Sequence, residues 1–237
     1  MTPSASFTEP GPSDTGGPLG RFPLWASVAL LTLGAVLLVF PGRSTWQSVY
    51  GARWTHILLV SGLIAFGLTP VVIRAARAAG VLDMPAARKV HSAPTPLLGG
   101  LAIYVAFTLA ILANSILDRQ VVAILLGATL LVLVGVVDDI ADVPAIVKML
   151  AQFVAAGTVI ASGVVLTLFP QAWFGDAIDI CLTIVWLLGI TNAMNLLDNM
   201  DGLSGGVGAV AAAFFLLLAA MSGQYLVGAL AAALLGA

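Results

Sequence analysis

Charge is what this sequence has least of: Asp, Glu, Lys and Arg make up 8% of its 237 residues, against roughly 25% in an ordinary soluble domain. A fold of this length could bury a core in water but could not cover its surface with so few charges, so lipid must solvate most of the outside. The net charge of -2 excludes the broad basic field that draws nucleic acid, and no nucleic-acid partner is expected. Cysteine is absent but for Cys181, which excludes a disulfide framework and a thiolate metal site and reads as a small buried hydrophobe. The first 23 residues lack apolar periodicity and hold one basic residue, Arg21, among Ser, Pro, Gly and Thr. That excludes a secretory signal and predicts a disordered tail.

What is present is apolar sequence in long runs. Hydrophobic residues make up 60% of the chain, and a spanning helix needs about 20 of them in a row. That ruler selects eight segments: Leu24 to Phe40, Trp54 to Ile73, Leu97 to Leu117, Val121 to Val137, Met149 to Leu168, Ala177 to Met194, Val207 to Met221, and one from Tyr225. The predicted fold is therefore all-α, a polytopic integral membrane bundle with about eight spans. Three regions are expected: the tail at 1–23, an N-terminal helix and loop at 24–53, and a membrane domain from 54 to 237. The last segment is still apolar at Ala237, and we expect a chain cut short.

Loop charge gives orientation. Arg74, Arg77, Arg88 and Lys89 fall between the second and third segments, which places that loop in the cytoplasm by the positive-inside rule. Arg43 and Arg53 in the preceding loop pull the other way. Counting crossings puts two later polar stretches, one at Asp138 and one at Asn195 to Gly206, on the same side as the Arg88 loop.

Each stretch offers chemistry. Asp83 to Gly100 carries Arg88, Lys89 and His91 on a turn stiffened by Pro94, Pro96, Gly99 and Gly100, which suits phosphate; a topology-setting basic loop is the plainer alternative. Asp138 and Asp139 stand together at the end of an apolar segment, where buried carboxylates are costly and invite a cation. Adjacent helical residues point about 100° apart, so one is expected to face a reaction centre and the other a basic group or metal shell, with Asp142 returning to the face of Asp138. Water-solvated interfacial acids, with Lys148 as a loose partner, are the alternative. In the third stretch Asn192, Asn195, Asp198 and Asp201 recur every third residue ahead of Gly202, Gly205 and Gly206. Amide and carboxylate oxygens are the hard ligands that Mg²⁺ prefers, and the glycines predict an unwound helix end. A calcium loop is disfavoured because the stretch after Gly206 is apolar where its closing acid should stand.

These stretches, in this order and two spans apart, resemble the polyprenyl-phosphate N-acetylhexosamine-1-phosphate transferases from about Trp54 onward. The run Arg88-Lys89-Val90-His91 through Pro94, Pro96, Gly99 and Gly100 is more similar to the branch using UDP-N-acetylglucosamine than to the phospho-muramyl-pentapeptide branch, which stays as an alternative. The resemblance implies a multi-pass enzyme of the cell membrane, its site facing the cytoplasm. It would transfer a sugar 1-phosphate from a UDP-N-acetylhexosamine to polyprenyl phosphate, release UMP and so start a cell-envelope glycan. It implies Mg²⁺, with Mn²⁺ as a substitute. It also implies catalytic roles for Asp138, Asp139 and Asp198 and metal contact at Asn195 and Asp198. Substrate contact would fall to Arg88, Lys89, His91, Asn192 and Asp201, and a homo-oligomer is compatible with all of this. The family's later Gly-Asp element is missing before Ala237, and Phe174-Gly175-Asp176 falls on the wrong side to replace it. The chain as given is therefore expected to be inactive, and a non-catalytic binding subunit or a transporter are the other classes weighed.

Overall fold

The computed structural model describes residues 22–39, 52–83, 94–170, 172–198 and 202–237. The expected tail, apart from its last two residues, lies outside them. Eight helices account for nearly all of what is described: α1 (Leu24–Val39), α2 (Ala52–Ala78), α3 (Gly99–Ala113), α4 (Arg119–Ile140), α5 (Ala145–Ala161), α6 (Trp173–Leu197), α7 (Leu203–Ser222) and α8 (Tyr225–Gly236). The all-α reading holds except for one ribbon, in which β1 (Leu82–Asp83) pairs antiparallel with β2 (Thr95–Pro96). In lipid every backbone group must be satisfied internally, and a helix does this within one segment.

Polar contacts fix the relative direction of most of the helices. The His56 ring meets Leu37 O at 2.8 Å while the Arg74 guanidinium donates to Phe22 O, so α1 and α2 run antiparallel. Arg53 donates to Asn114 O at 2.6 Å and Arg119 to Ala161 O at 2.6 Å, setting α3 against α2 and α5 against α4. Trp54 Nε1 donates to Tyr225 O at 3.3 Å and Ser61 Oγ to Ala233 O at 2.7 Å, so α8 runs parallel to α2. The chain thus alternates up and down. The end of α4, the start of α5 and the end of α6 share one end of the bundle with the ribbon.

The core lies where α2 meets α3 and α8, around Ile57, Val60, Ala106, Ile111, Ala229 and Ala232. Without a hydrophobic drive between helices in lipid, small residues allow close backbone approach. Gly236 sits so tightly against Leu58 O and Gly62 N that a Cβ there has no room, and one at Gly67 would come 2.8 Å from Leu31. A second packet, α4 on α5 and α5 on α6, adjoins the first through limited α3–α4 and α6–α7 contacts. There the Tyr104 hydroxyl meets Thr129 Oγ1.

Span lengths depart from the sequence reading. Among the described residues four helices are long and apolar enough to cross a membrane, within Arg53–Ala78, Arg119–Ile140, Phe174–Leu197 and Leu203–Ser222; the other four are shorter apolar helices. The expected span Met149 to Leu168 is helical only to Ala161 and stops at Gly163, whose φ is 96°. Beyond it, Asp179 and Thr183 of α6 accept hydrogen bonds from the backbone N–H of Leu168 and Leu166 at 3.1 and 3.0 Å. Those captured N–H groups replace the helical bonds that would have continued α5. Cys181, expected to be buried, is exposed on α6.

Candidate active site

The end of α4 separates the two adjacent aspartates. The helix stops at Ile140, and Ala141 is extended with its N–H on Val137 O at 2.8 Å. Asp138 accepts from Val143 N–H at 3.0 Å and from Lys148 Nζ at 2.6 Å, so it closes the turn into α5. Asp142 lies in that turn, past the helix, and the expected return to the face of Asp138 does not occur. Asp139 points elsewhere: its Oδ2 accepts from Leu98 N–H at 3.3 Å. Leu98 precedes α3 with φ 72°, a left-handed conformation that costs a non-glycine residue about 1–2 kcal/mol.

Leu98 is held by the ribbon. Leu82 faces Pro96, Asp83 faces Thr95, and Leu97 N–H donates to Val81 O at 3.2 Å. The clasp joins the two ends of the loop predicted to bind phosphate; Arg88, Lys89 and His91 on that loop lie outside the described residues. Pro96 tolerates its place because a two-residue ribbon leaves its missing N–H unneeded.

The third stretch arrives on α6. That helix ends at Leu197, Asp198 follows in a non-helical conformation with ψ 30°, and Gly202 at φ 75° precedes α7. Asn195 and Asp198 are exposed at this end. Asn199, Met200 and Asp201 lie outside the described residues. Asn192, two turns earlier, donates through Nδ2 to Gln152 Oε1 and to Leu188 O, both at 2.8 Å.

Hydrogen bonds show how the stretches meet. Leu98 N–H on Asp139 joins the end of the loop to the end of α4, Lys148 on Asp138 joins that end to α5, and the Asn192–Gln152 pair joins α5 to the end of α6, so the three stretches share one end of the bundle. Among the described residues no three His, Cys, Asp or Glu side chains come near enough to cage a metal alone. Mg²⁺ is usually held by one or two carboxylates together with substrate phosphates, so the donor set fits that ion with substrate present. Phe174-Gly175-Asp176 sits at the opposite end of α6 from Asn192.

Two contributors escaped the sequence reading. Gln152 could have been found as the one amide in the apolar stretch Met149 to Ala161. The Leu98 N–H carries no sequence signal, because a backbone donor is supplied by any residue but proline.

An alternating bundle of apolar helices, with acidic and amide side chains gathered at one end, defines a multi-pass membrane protein with a polar site at the boundary of the membrane. Residues 121–237 match the model of Glycosyl transferase family 4, and the chain belongs to that family. Among curated relatives, the "Probable undecaprenyl-phosphate N-acetylglucosaminyl 1-phosphate transferase" of Bacillus subtilis (strain 168) is 33% identical over 175 residues, covering 71% of this chain and 49% of the relative. The "Decaprenyl-phosphate N-acetylglucosaminephosphotransferase" of Mycolicibacterium smegmatis is 29% identical over 170 residues, 65% of this chain and 42% of its own. The "Undecaprenyl-phosphate alpha-N-acetylglucosaminyl 1-phosphate transferase" of Escherichia coli (strain K12) is 30% identical over 166 residues, 64% and 43%. The chain thus spans about half the length of the curated relatives it matches. No solved structure matches it.

Proposed function

We propose that this chain supplies the acidic half of a site that transfers N-acetylglucosamine 1-phosphate from a UDP-sugar to polyprenyl phosphate, at the cytoplasmic face of the membrane. The observation that supports the reading is the chain of hydrogen bonds from Leu98 N–H to Asp139, from Lys148 to Asp138 and from Asn192 to Gln152. These link the Leu98 end of the loop, the aspartate pair and the end of α6 at one end of the bundle. The names of the family relatives support the acceptor and the sugar.

In the proposed reaction an oxygen of the lipid phosphate attacks the β-phosphorus of the UDP-sugar. That P–O bond forms as the bond to the α-phosphate oxygen breaks, and UMP leaves. Such transfers depend mainly on positioning and charge neutralisation. A phosphate monoester has its second pKa near about 6, so the acceptor is mostly dianionic at neutral pH and needs little help to lose a proton. Asp139 orients the acceptor and takes any remaining proton, while Asp138, already engaged by Lys148 and Val143, fixes the turn that presents it. Asn195 and Asp198 would hold Mg²⁺, which when bound neutralises diphosphate charge. Arg88, Lys89 and His91 would engage phosphate oxygens, and Asp201 the nucleotide.

The test uses full-length protein in detergent with Mg²⁺. UMP should appear from UDP-N-acetylglucosamine only when undecaprenyl phosphate is added, and Asp198→Asn should lower the rate at least about 100-fold. UMP release that ignores the lipid would end the reading.

A further inference from the structure

Asn192 offers the site less than its side chain could. A primary amide carries two N–H donors and one oxygen with two lone pairs. Here Nδ2 donates to Gln152 Oε1 and to Leu188 O at 2.8 Å each, so both donors are spent. Gln152 Nε2 returns a longer bond to Asn192 Oδ1 at 3.4 Å, which occupies one lone pair. What remains on Asn192 is an acceptor. Leu188 alone, one turn back on the same helix, would leave the second N–H free to donate outward. Gln152, brought across from α5, removes that freedom.

We propose that Gln152 is a positioning residue for donor binding: its amide holds that of Asn192 so that an oxygen, and not an NH₂ group, is what α6 presents to the nucleotide sugar. The chemistry it selects is a hydroxyl or N–H of the sugar or base. Phosphate oxygens, being acceptors, find no partner there. The basic loop, and the Mg²⁺ that Asn195 and Asp198 would hold, engage the phosphates instead. This inference rests on the transferase reading and adds the part of the substrate that Asn192 meets.

The test is a KM against kcat comparison in the full-length enzyme, with UDP-N-acetylglucosamine and undecaprenyl phosphate varied separately. Gln152→Leu, which keeps bulk and removes the clamp, should raise the KM for UDP-N-acetylglucosamine about tenfold, the worth of one ordinary hydrogen bond. Its kcat and its KM for the lipid should stay within about twofold. Gln152→Glu, whose carboxylate still accepts from Asn192 Nδ2, should restore the donor KM to within about threefold. In an Asn192→Ala background Gln152→Leu should add nothing, because the group it positions is gone. If Gln152→Leu does not fold, Gln152→Met serves the same comparison. An unchanged donor KM, an equal rise in both KM values, or additivity with Asn192→Ala would overturn the positioning role while wild-type turnover left the transferase reading standing. Absence of wild-type turnover would remove both.

Discussion

Asp138 and Asp139 are chemically identical neighbours, and their surroundings give them different work. Asp138 has both oxygens engaged, one by Val143 N–H and one by Lys148. Among the described residues Asp139 accepts a backbone N–H from Leu98 through Oδ2, at the end of the loop that carries Arg88, Lys89 and His91. Asp139→Asn should therefore leave thermal unfolding in detergent nearly unchanged and lower UMP release by about 100-fold or more, in the range of lost acid–base or electrostatic catalysis. Asp138→Asn should show the reverse weighting, with a lower unfolding temperature and a smaller loss of rate. Lys148→Met should match it, and the double variant should be no worse than either single one, since the two side chains form one contact. Additive losses would mean that Lys148 and Asp138 act separately.

Helix ends and helix seams set the geometry of the elements. The stretch after α5 is fixed by Asp179, which is buried and accepts from Leu168 and Phe169 N–H at 3.1 and 3.5 Å, and by Thr183, which accepts from Leu166 N–H. Asp179→Ala strands those donors away from water and should lower stability by about 1–3 kcal/mol, read by denaturant or thermal unfolding in detergent. Turnover per folded molecule should hold, because this clasp lies at the far end of α6 from Asn192. The seam between α2 and α8 depends on contact without side chains: Gly236 lies against Leu58 O and Gly62 N. Even Gly236→Ala should push α8 off α2, break the bond from Ser61 Oγ to Ala233 O, and give a protein more readily cleaved by protease in detergent than the wild type.

On the scale of the whole molecule, alternation of the eight described helices puts one set of turns at each end of the bundle. Single cysteines placed at Ala141 and Gly202 in a Cys181→Ser background should label from the cytoplasmic side, and cysteines at Ser115 and Gly223 from the other, using a membrane-impermeant thiol reagent on sealed vesicles of both orientations. Ala141 and Gly202 labelling from opposite sides would refute the shared site. The sequence by itself determined the lipid-facing class, the number of apolar segments and the three polar stretches, because desolvating charge is so costly that polar residues gather at span ends and between spans. It predicted an unwound helix end at Gly202, Gly205 and Gly206; α6 ends at Leu197 and Gly202 takes the positive φ that glycine permits most cheaply, while Gly205 and Gly206 are helical in α7. The tertiary structure alone decided which aspartate meets the loop, that α5 stops at Ala161, and that Gln152 holds Asn192. The first and last depend on hydrogen bonds between residues 41 and 40 positions apart, the second on bonds spanning 11 and 17, and the geometry that closes such bonds exists only once the helices have packed.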